Sequence, residues 1–231
     1  MISVSIIQPN FEQENFMKMI RVCRFSALVA TVALLLCGCE DSNNQKTLGQ
    51  GYDFGSNDRN LYLAVGDSIT YGSGSTSYPE ILSSMLGKPV INEGIRGERT
   101  HSGAARIDEE LRAYHPGFLL IMYGANDVVH QYSPDRVKEL LRIIIKAAKD
   151  NHTIPVIATI TPHIAHRERI FNPLVKELNT RIRRLAKEEG IRLVELQNIF
   201  DQHPEYIGDD GLHPTDEGLS IIAAQFFDVL R

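Results

Sequence analysis

Cysteine is nearly absent from this 231-residue chain: there are three, Cys23, Cys37 and Cys39, and none lies beyond residue 39. The remainder can hold no disulfide, no thiol nucleophile and no cysteine-ligated metal. Positive charge is also short. With 24 Lys and Arg against 29 Asp and Glu, the formal net charge is -5, which offers no electrostatic footprint for nucleic acid. No apolar run reaches the about 20 residues that a membrane span needs. The longest, Phe25 to Cys37, stops well short. No internal repeat is present. A composition of 43% hydrophobic and 23% charged residues excludes disorder and collagen-like repeats, and the length suits one α/β domain with accessory segments.

What surrounds the short apolar run gives it a meaning. Lys18, Arg21 and Arg24 precede it, the layout of a secretory signal. It ends in "LCGC", Leu36 to Cys39, which resembles the lipobox of bacterial lipoproteins, whose last cysteine is acylated and becomes the mature N-terminus. Residues 1–38 are therefore expected to be a signal peptide. Residues 1–16, with Glu12 and Glu14 ahead of the basic region, fit no signal pattern and suggest a start codon assigned too early. Residues 39–59 are polar and without apolar periodicity, so they read as a lipidated N-terminus and flexible tether. The expected location is exported, anchored to a membrane through lipid on Cys39, facing the periplasm or cell surface.

Residues 60–231 read as the folded domain. Short apolar runs at Leu61–Val65, Pro89–Asn92, Phe118–Tyr123, Pro155–Ile160 and Ile191–Glu195 predict five strands. The third and fourth are almost wholly apolar, as parallel strands covered on both faces must be. Between them lie amphipathic stretches. One starts with Ser133 as N-cap and Pro134 at the first helical position, and buries Val137, Leu140, Leu141, Ile144 and Ala148 on one face. A second is predicted over Pro173–Glu189, closed by Gly190, and a last follows Thr215. Strands alternating with helices predict an α/β fold, a three-layer α/β/α sandwich around a central parallel sheet of about five strands. Ligands then bind beyond the carboxyl ends of the strands.

Four stretches fall at that edge. "GDS" puts Ser68 just past the first strand, with Gly66 allowing the turn. "NEGIRGERT" carries Gly94 and Gly97 after the second, and "YGANDVV" carries Asn126 and Asp127 after the third. "DDGLHP" sets Asp210 three residues before His213. A serine becomes a nucleophile when an imidazole takes its proton, and the imidazole needs a carboxylate to fix its tautomer. Glycine N–H groups and an Asn amide are suitable donors for the oxyanion of acyl transfer. Each stretch has a plainer reading, as a turn or a helix cap. His163, His166 and His203 read as surface or loop histidines.

Together the four blocks resemble the SGNH (GDSL-type) hydrolases, over about Tyr62 to Pro214. The resemblance implies a flavodoxin-like hydrolase fold and a serine esterase, with Ser68 as nucleophile, His213 as base and Asp210 as its partner. The oxyanion hole would comprise the Ser68 N–H, the Gly97 N–H and the Asn126 amide. No cofactor and no metal are implied. Expected substrates are small-molecule carboxylic esters or thioesters: short-chain acyl esters, lysophospholipids or O-acetylated sugars.

The chain departs from the family pattern in two places. Ile69 follows Ser68 where Leu is usual, and Arg96-Gly97-Glu98-Arg99-Thr100 replaces Ser-Gly-Asp-Thr, which keeps Gly94 open as an alternative to Gly97. Asp209 is the alternative to Asp210. Arg96 and Arg99 flank the glycine and read as solvated surface residues in preference to a site for a substrate carboxylate or phosphate. The segment Thr161–Asn172 is expected to wall a shallow cleft without forming a lid. Rival readings are a non-catalytic ligand-binding lipoprotein on the same fold and a metal-dependent phosphoesterase. An α/β-hydrolase is disfavoured because Thr70 stands where its G-x-S-x-G elbow needs the last glycine.

Overall fold

The computed structural model describes residues 48–72 and 74–231. The signal segment and Cys39 lie outside the described residues. All five predicted strands form, with shifted ends: β1 (Asp58–Gly66), β2 (Val90–Gly94), β3 (Pro116–Met122), β4 (Ile154–Ala158) and β5 (Arg192–Val194). They pair in parallel in the order β2-β1-β3-β4-β5. Successive side chains on a strand face opposite sides, and that alternation sorts the core. Tyr62, Ala64, Phe118 and Leu120 join one apolar cluster, whereas Leu63, Val65, Leu119 and Ile121 join the other.

Eight helices accompany the sheet among the described residues: α1 (Ser68–Tyr71), α2 (Tyr78–Leu86), α3 (Thr100–Tyr114), α4 (Ala125–Val129), α5 (Pro134–Asp150), α6 (Glu168–Glu189), α7 (Gln197–Gln202) and α8 (Asp216–Leu230). Helices α2, α7 and α8 bury Tyr78, Leu82, Phe200, Leu219 and Phe226 against the first face. Helices α3, α5 and α6 bury Ile107, Leu111, Leu141, Ile144, Leu178 and Ile182 against the second. The three-layer α/β/α sandwich is therefore present. With this strand order the chain changes direction across the sheet between β1 and β3, which is where such folds open a crevice at their carboxyl edge.

Three local expectations need correction. The tether does not extend to residue 59. Leu48 and Phe54 pack on the core, Phe54 lies 5.7 Å from the Phe118 ring, and β1 begins at Asp58. Isolated apolar residues in a polar stretch carry no periodicity, so their anchoring is invisible in the sequence. Helix α6 begins at Glu168, placing Pro173 inside it. The proline sits close enough to the N-terminus that its missing N–H costs one hydrogen bond and the helix continues. Ser133 occupies the N-cap of α5 as expected, but its hydroxyl makes no capping hydrogen bond.

Candidate active site

At the end of β1 the backbone passes so close to its neighbours that only glycine fits. A Cβ on Gly66 would lie 2.0 Å from Thr70 Oγ1 and 2.5 Å from the Met122 carbonyl oxygen. Close approach, not a left-handed turn, is the reason for this glycine. Asp67 then caps α1, its Oδ1 accepting from the Ile69 N–H at 3.0 Å, and Ser68 becomes the first helical residue. Its hydroxyl is thereby raised above the carboxyl edge of the sheet.

The partner imidazole comes from far along the chain. Ser68 Oγ lies 2.8 Å from His213 Nε2. His213 Nδ1 makes a short hydrogen bond to Asp210 Oδ2, and Asp210 Oδ1 accepts from the N–H groups of Leu212 and His213, each at 2.9 Å. Asp209 makes no contact of this kind. Burial alone would raise the Asp210 carboxyl, but the ring and backbone hydrogen bonds outweigh it and hold the group below its ordinary value. Asp210 therefore stays an acceptor for the histidine ring.

The loop carrying both residues is closed on itself. Gly208 N–H donates to the His213 carbonyl at 2.8 Å, Gly211 N–H donates to Gly208, and Ile207 bridges Pro214. Gly211 adopts φ +73°, a conformation that favours glycine. From outside, the Ile164 N–H donates to the Gly211 carbonyl at 3.0 Å and Arg167 Nε donates to the Asp210 carbonyl at 2.8 Å. The segment after β4 thus braces the Asp210–His213 loop from behind, and none of residues 161–172 borders the cleft that contains Ser68, in place of the cleft wall expected of them.

The second and third blocks meet over the same point. Gly94 is packed against the start of the α1 turn, where a Cβ would lie 2.2 Å from Tyr71 N, and its own N–H is donated to Asn92 Oδ1 at 3.0 Å. Gly97 has φ +75°, open space at its Cβ position, and an N–H with no acceptor among the described residues. Of the two glycines, Gly97 is the one with a donor to offer. Asn126, in α4, donates from Nδ2 to the Glu98 carbonyl at 3.1 Å, which ties the third block to the second.

Sequence reasoning missed what holds these loops. Asp127 Oδ2 accepts from Thr100 N at 3.0 Å and Thr100 Oγ1 at 2.8 Å, fully buried. Glu98, beside Gly97, is gripped by Arg106 Nη2 at 2.6 Å and by the Tyr123 hydroxyl at 2.6 Å. Nothing local in the sequence links Glu98 to a tyrosine at the end of β3. Burial pushes the Asp67 carboxyl up to about 6, against the lowering effects of the Ile69 N–H, His213 and Asn126.

Arg96 and Arg99 part company. Arg99 donates to the Tyr132 hydroxyl at 2.6 Å and stacks on that ring, half-withdrawn from solvent. Arg96 is exposed, stacks on Tyr71 at 4.6 Å, and lines a cleft of ≈ 390 Å³ together with Ser68, Asp209, Asp210 and His213.

Of the other histidines, His166 is exposed and His203 is partly exposed and bonded to Glu205. His163 differs from the surface reading: it lies in a loop but is 1% exposed, and neither ring nitrogen has a partner among the described residues. Burial lowers it to about 4, with the nearby Arg167 charge acting in the same direction and Asp210 opposing. The folded protein thus holds a neutral ring, while the unfolded chain takes up a proton as pH drops below about 6.5. This part of the stability is intact above that value and lost as pH falls toward 4. In urea melts at pH 7 and pH 4.5, His163→Leu should lose less stability than the wild type on acidification, by about 1–3 kcal/mol. Equal losses in both proteins would show that the ring is solvated or paired in the folded state.

The parallel sheet thus carries a hydroxyl, an imidazole and a carboxylate in hydrogen-bonded sequence at its carboxyl edge, the chemical groups that acyl transfer requires. The chain belongs to the GDSL-like Lipase/Acylhydrolase family, which matches residues 64–221. It is an esterase of the GDSL type. It is 27% identical over 168 residues to Thioesterase 1/protease 1/lysophospholipase L1 of Escherichia coli, spanning 70% of this chain and 78% of that protein. An arylesterase from Vibrio mimicus is 29% identical over 173 residues, spanning 70% and 83%. Among solved structures, an acetyl xylan esterase from Geobacillus stearothermophilus shares the fold with a TM-score of 0.66 at 24% identity, covering 75% of this chain and 95% of that one.

Proposed function

We propose that the protein is a serine esterase working through a Ser68–His213–Asp210 triad and an acyl-enzyme intermediate. The observation that carries this reading is the unbroken chain from Ser68 Oγ to His213 Nε2 at 2.8 Å and from His213 Nδ1 to Asp210. In the first half-reaction His213 takes the hydroxyl proton as Ser68 Oγ bonds to the ester carbon. The resulting oxyanion faces the N–H groups of Ser68 and Gly97 and the Asn126 amide. The tetrahedral adduct collapses, the alcohol or thiol leaves with the proton held by His213, and a water repeats the steps to free the acid. A serine-directed fluorophosphonate should label Ser68 and no other residue, with or without chelator. Absence of labelling would favour the non-catalytic binding reading, and chelator-sensitive hydrolysis the metallophosphoesterase.

The substrates favoured are short-chain or soluble esters, including O-acetyl sugars, lysophospholipids and thioesters. The cleft is small and bordered largely by polar residues, and similar relatives carry thioesterase, lysophospholipase, arylesterase and acetylxylan esterase names. Across p-nitrophenyl acetate, butyrate, octanoate and palmitate, kcat/KM should peak at the short end. A maximum at palmitate would reveal an acyl tunnel.

The location proposed is an exported lipoprotein, supported by the Lys18–Cys39 pattern. Cys39→Ser should move the protein from the membrane fraction to the soluble one. A wild-type mature chain that begins elsewhere and carries no lipid would defeat this.

A further inference from the structure

We propose that Arg96 recognises an anionic group, a carboxylate or phosphate, on the ester this site hydrolyses, which rests on the esterase reading above. Arg96 is the only Lys or Arg among the described residues bordering the cleft that contains Ser68 and His213. No carboxylate among the described residues pairs with it: its polar contact among them is a long one, Nη2 to the Gly72 carbonyl at 3.5 Å. The Tyr71 ring lies 4.6 Å from the guanidinium carbon and supports the flat face of the group. Stacking on an aromatic face leaves the N–H edges free, and those edges match the two oxygens of a carboxylate or phosphate. Arg96 shares one cleft with Ser68 and His213 and is next in sequence to Gly97, the proposed oxyanion donor, so an ester seated there can present its own anion to that arginine.

Arg99 shows what a structural arginine looks like in this loop. It donates to Tyr132 at 2.6 Å and stacks on that ring, away from the cleft. The cleft also contains an opposing charge. Asp209 borders it and has no ion-pair partner among the described residues, so its carboxylate works against an anionic substrate. The recognition proposed is therefore local to Arg96 and does not come from a generally positive site.

The test compares matched esters in pairs. Mono-p-nitrophenyl glutarate against p-nitrophenyl butyrate places the anion on the acyl side. Carboxyphenyl butyrate against phenyl butyrate places it on the alcohol side. In the wild type, kcat/KM for one anionic ester should exceed that for its neutral partner about tenfold, the scale of one charge-assisted contact. Arg96→Ala should abolish that ratio, Arg96→Glu should invert it, and Asp209→Asn should increase it. Arg99→Ala should leave it as in the wild type. The wild-type ratio should shrink toward one between about 20 mM and 500 mM salt, as screening requires. Equal kcat/KM for both members of each pair, or a ratio unchanged in Arg96→Ala, overturns the proposal while leaving the esterase reading standing. If no ester is hydrolysed above the Ser68→Ala background, the esterase reading falls and this proposal with it.

Discussion

Ser68→Ala should abolish turnover of p-nitrophenyl butyrate, by about 10⁴–10⁶ in kcat, and His213→Ala should do nearly the same. The two losses are alike because the residues act as one unit: without the imidazole the hydroxyl keeps its proton, and without the hydroxyl the imidazole has nothing to activate. The double variant should accordingly be no worse than either single one. Asp210→Asn retains shape while removing the charge that fixes the His213 tautomer, and should cost about 10⁴. None of these changes touches the apolar core, since Asp210 and His213 sit on a partly exposed loop. Thermal unfolding should therefore move little, which separates lost chemistry from lost folding. Turnover in Ser68→Ala within a hundredfold of the wild type would point to a different nucleophile.

The second large effect belongs to Asn126. Asn126→Ala should lower kcat by about 10²–10³ with KM for the ester little changed, because the amide stabilises charge that appears only in the transition state. The geometry makes the expectation specific. Asn126 already donates one hydrogen bond to the Glu98 carbonyl. Its removal therefore unties the loop that carries Gly97 as well as deleting a donor. Asn126→Asp, similar in size but carrying negative charge where the oxyanion forms, should be worse than alanine. Gly97→Ala is a different perturbation: there is room for the methyl group, but φ +75° strains any residue with a Cβ. Its effect should be smaller than that of Asn126→Ala. An Asn126→Ala enzyme with raised KM and normal kcat would assign the residue to substrate binding.

The parts of the fold that the sequence announced were those with repetitive local signals. β3 and β4 are buried along their whole length, which required apolar residues at every position and made them legible. The periodicity of α5 was legible for the same reason, since one face meets the sheet and the other meets water. The start of α6 was missed because Pro173 looked like a boundary, whereas Asn172 fixes the preceding turn through paired hydrogen bonds with His163 at 2.7 and 2.9 Å. The packing of Leu48 and Phe54 was missed because single apolar residues among polar ones have no period to detect.

The sequence by itself determined the layered α/β architecture, the family, and which serine, histidine and carboxylate were candidates. The architecture follows from the burial periods, the candidates from their places at the strand ends and the three-residue spacing of Asp210 and His213, and the family from the resemblance of four ordered blocks. Only the tertiary structure distinguishes the backbone N–H of Gly94, already spent on Asn92 Oδ1, from that of Gly97, which has no acceptor among the described residues. It likewise separated Arg96 from Arg99 by which aromatic ring each one rests on. It set Glu98 between Arg106 and Tyr123 and closed the 145-residue gap between Ser68 and His213. Those contacts join residues distant in the chain, and their energies depend on angles and burial that no short stretch of sequence contains.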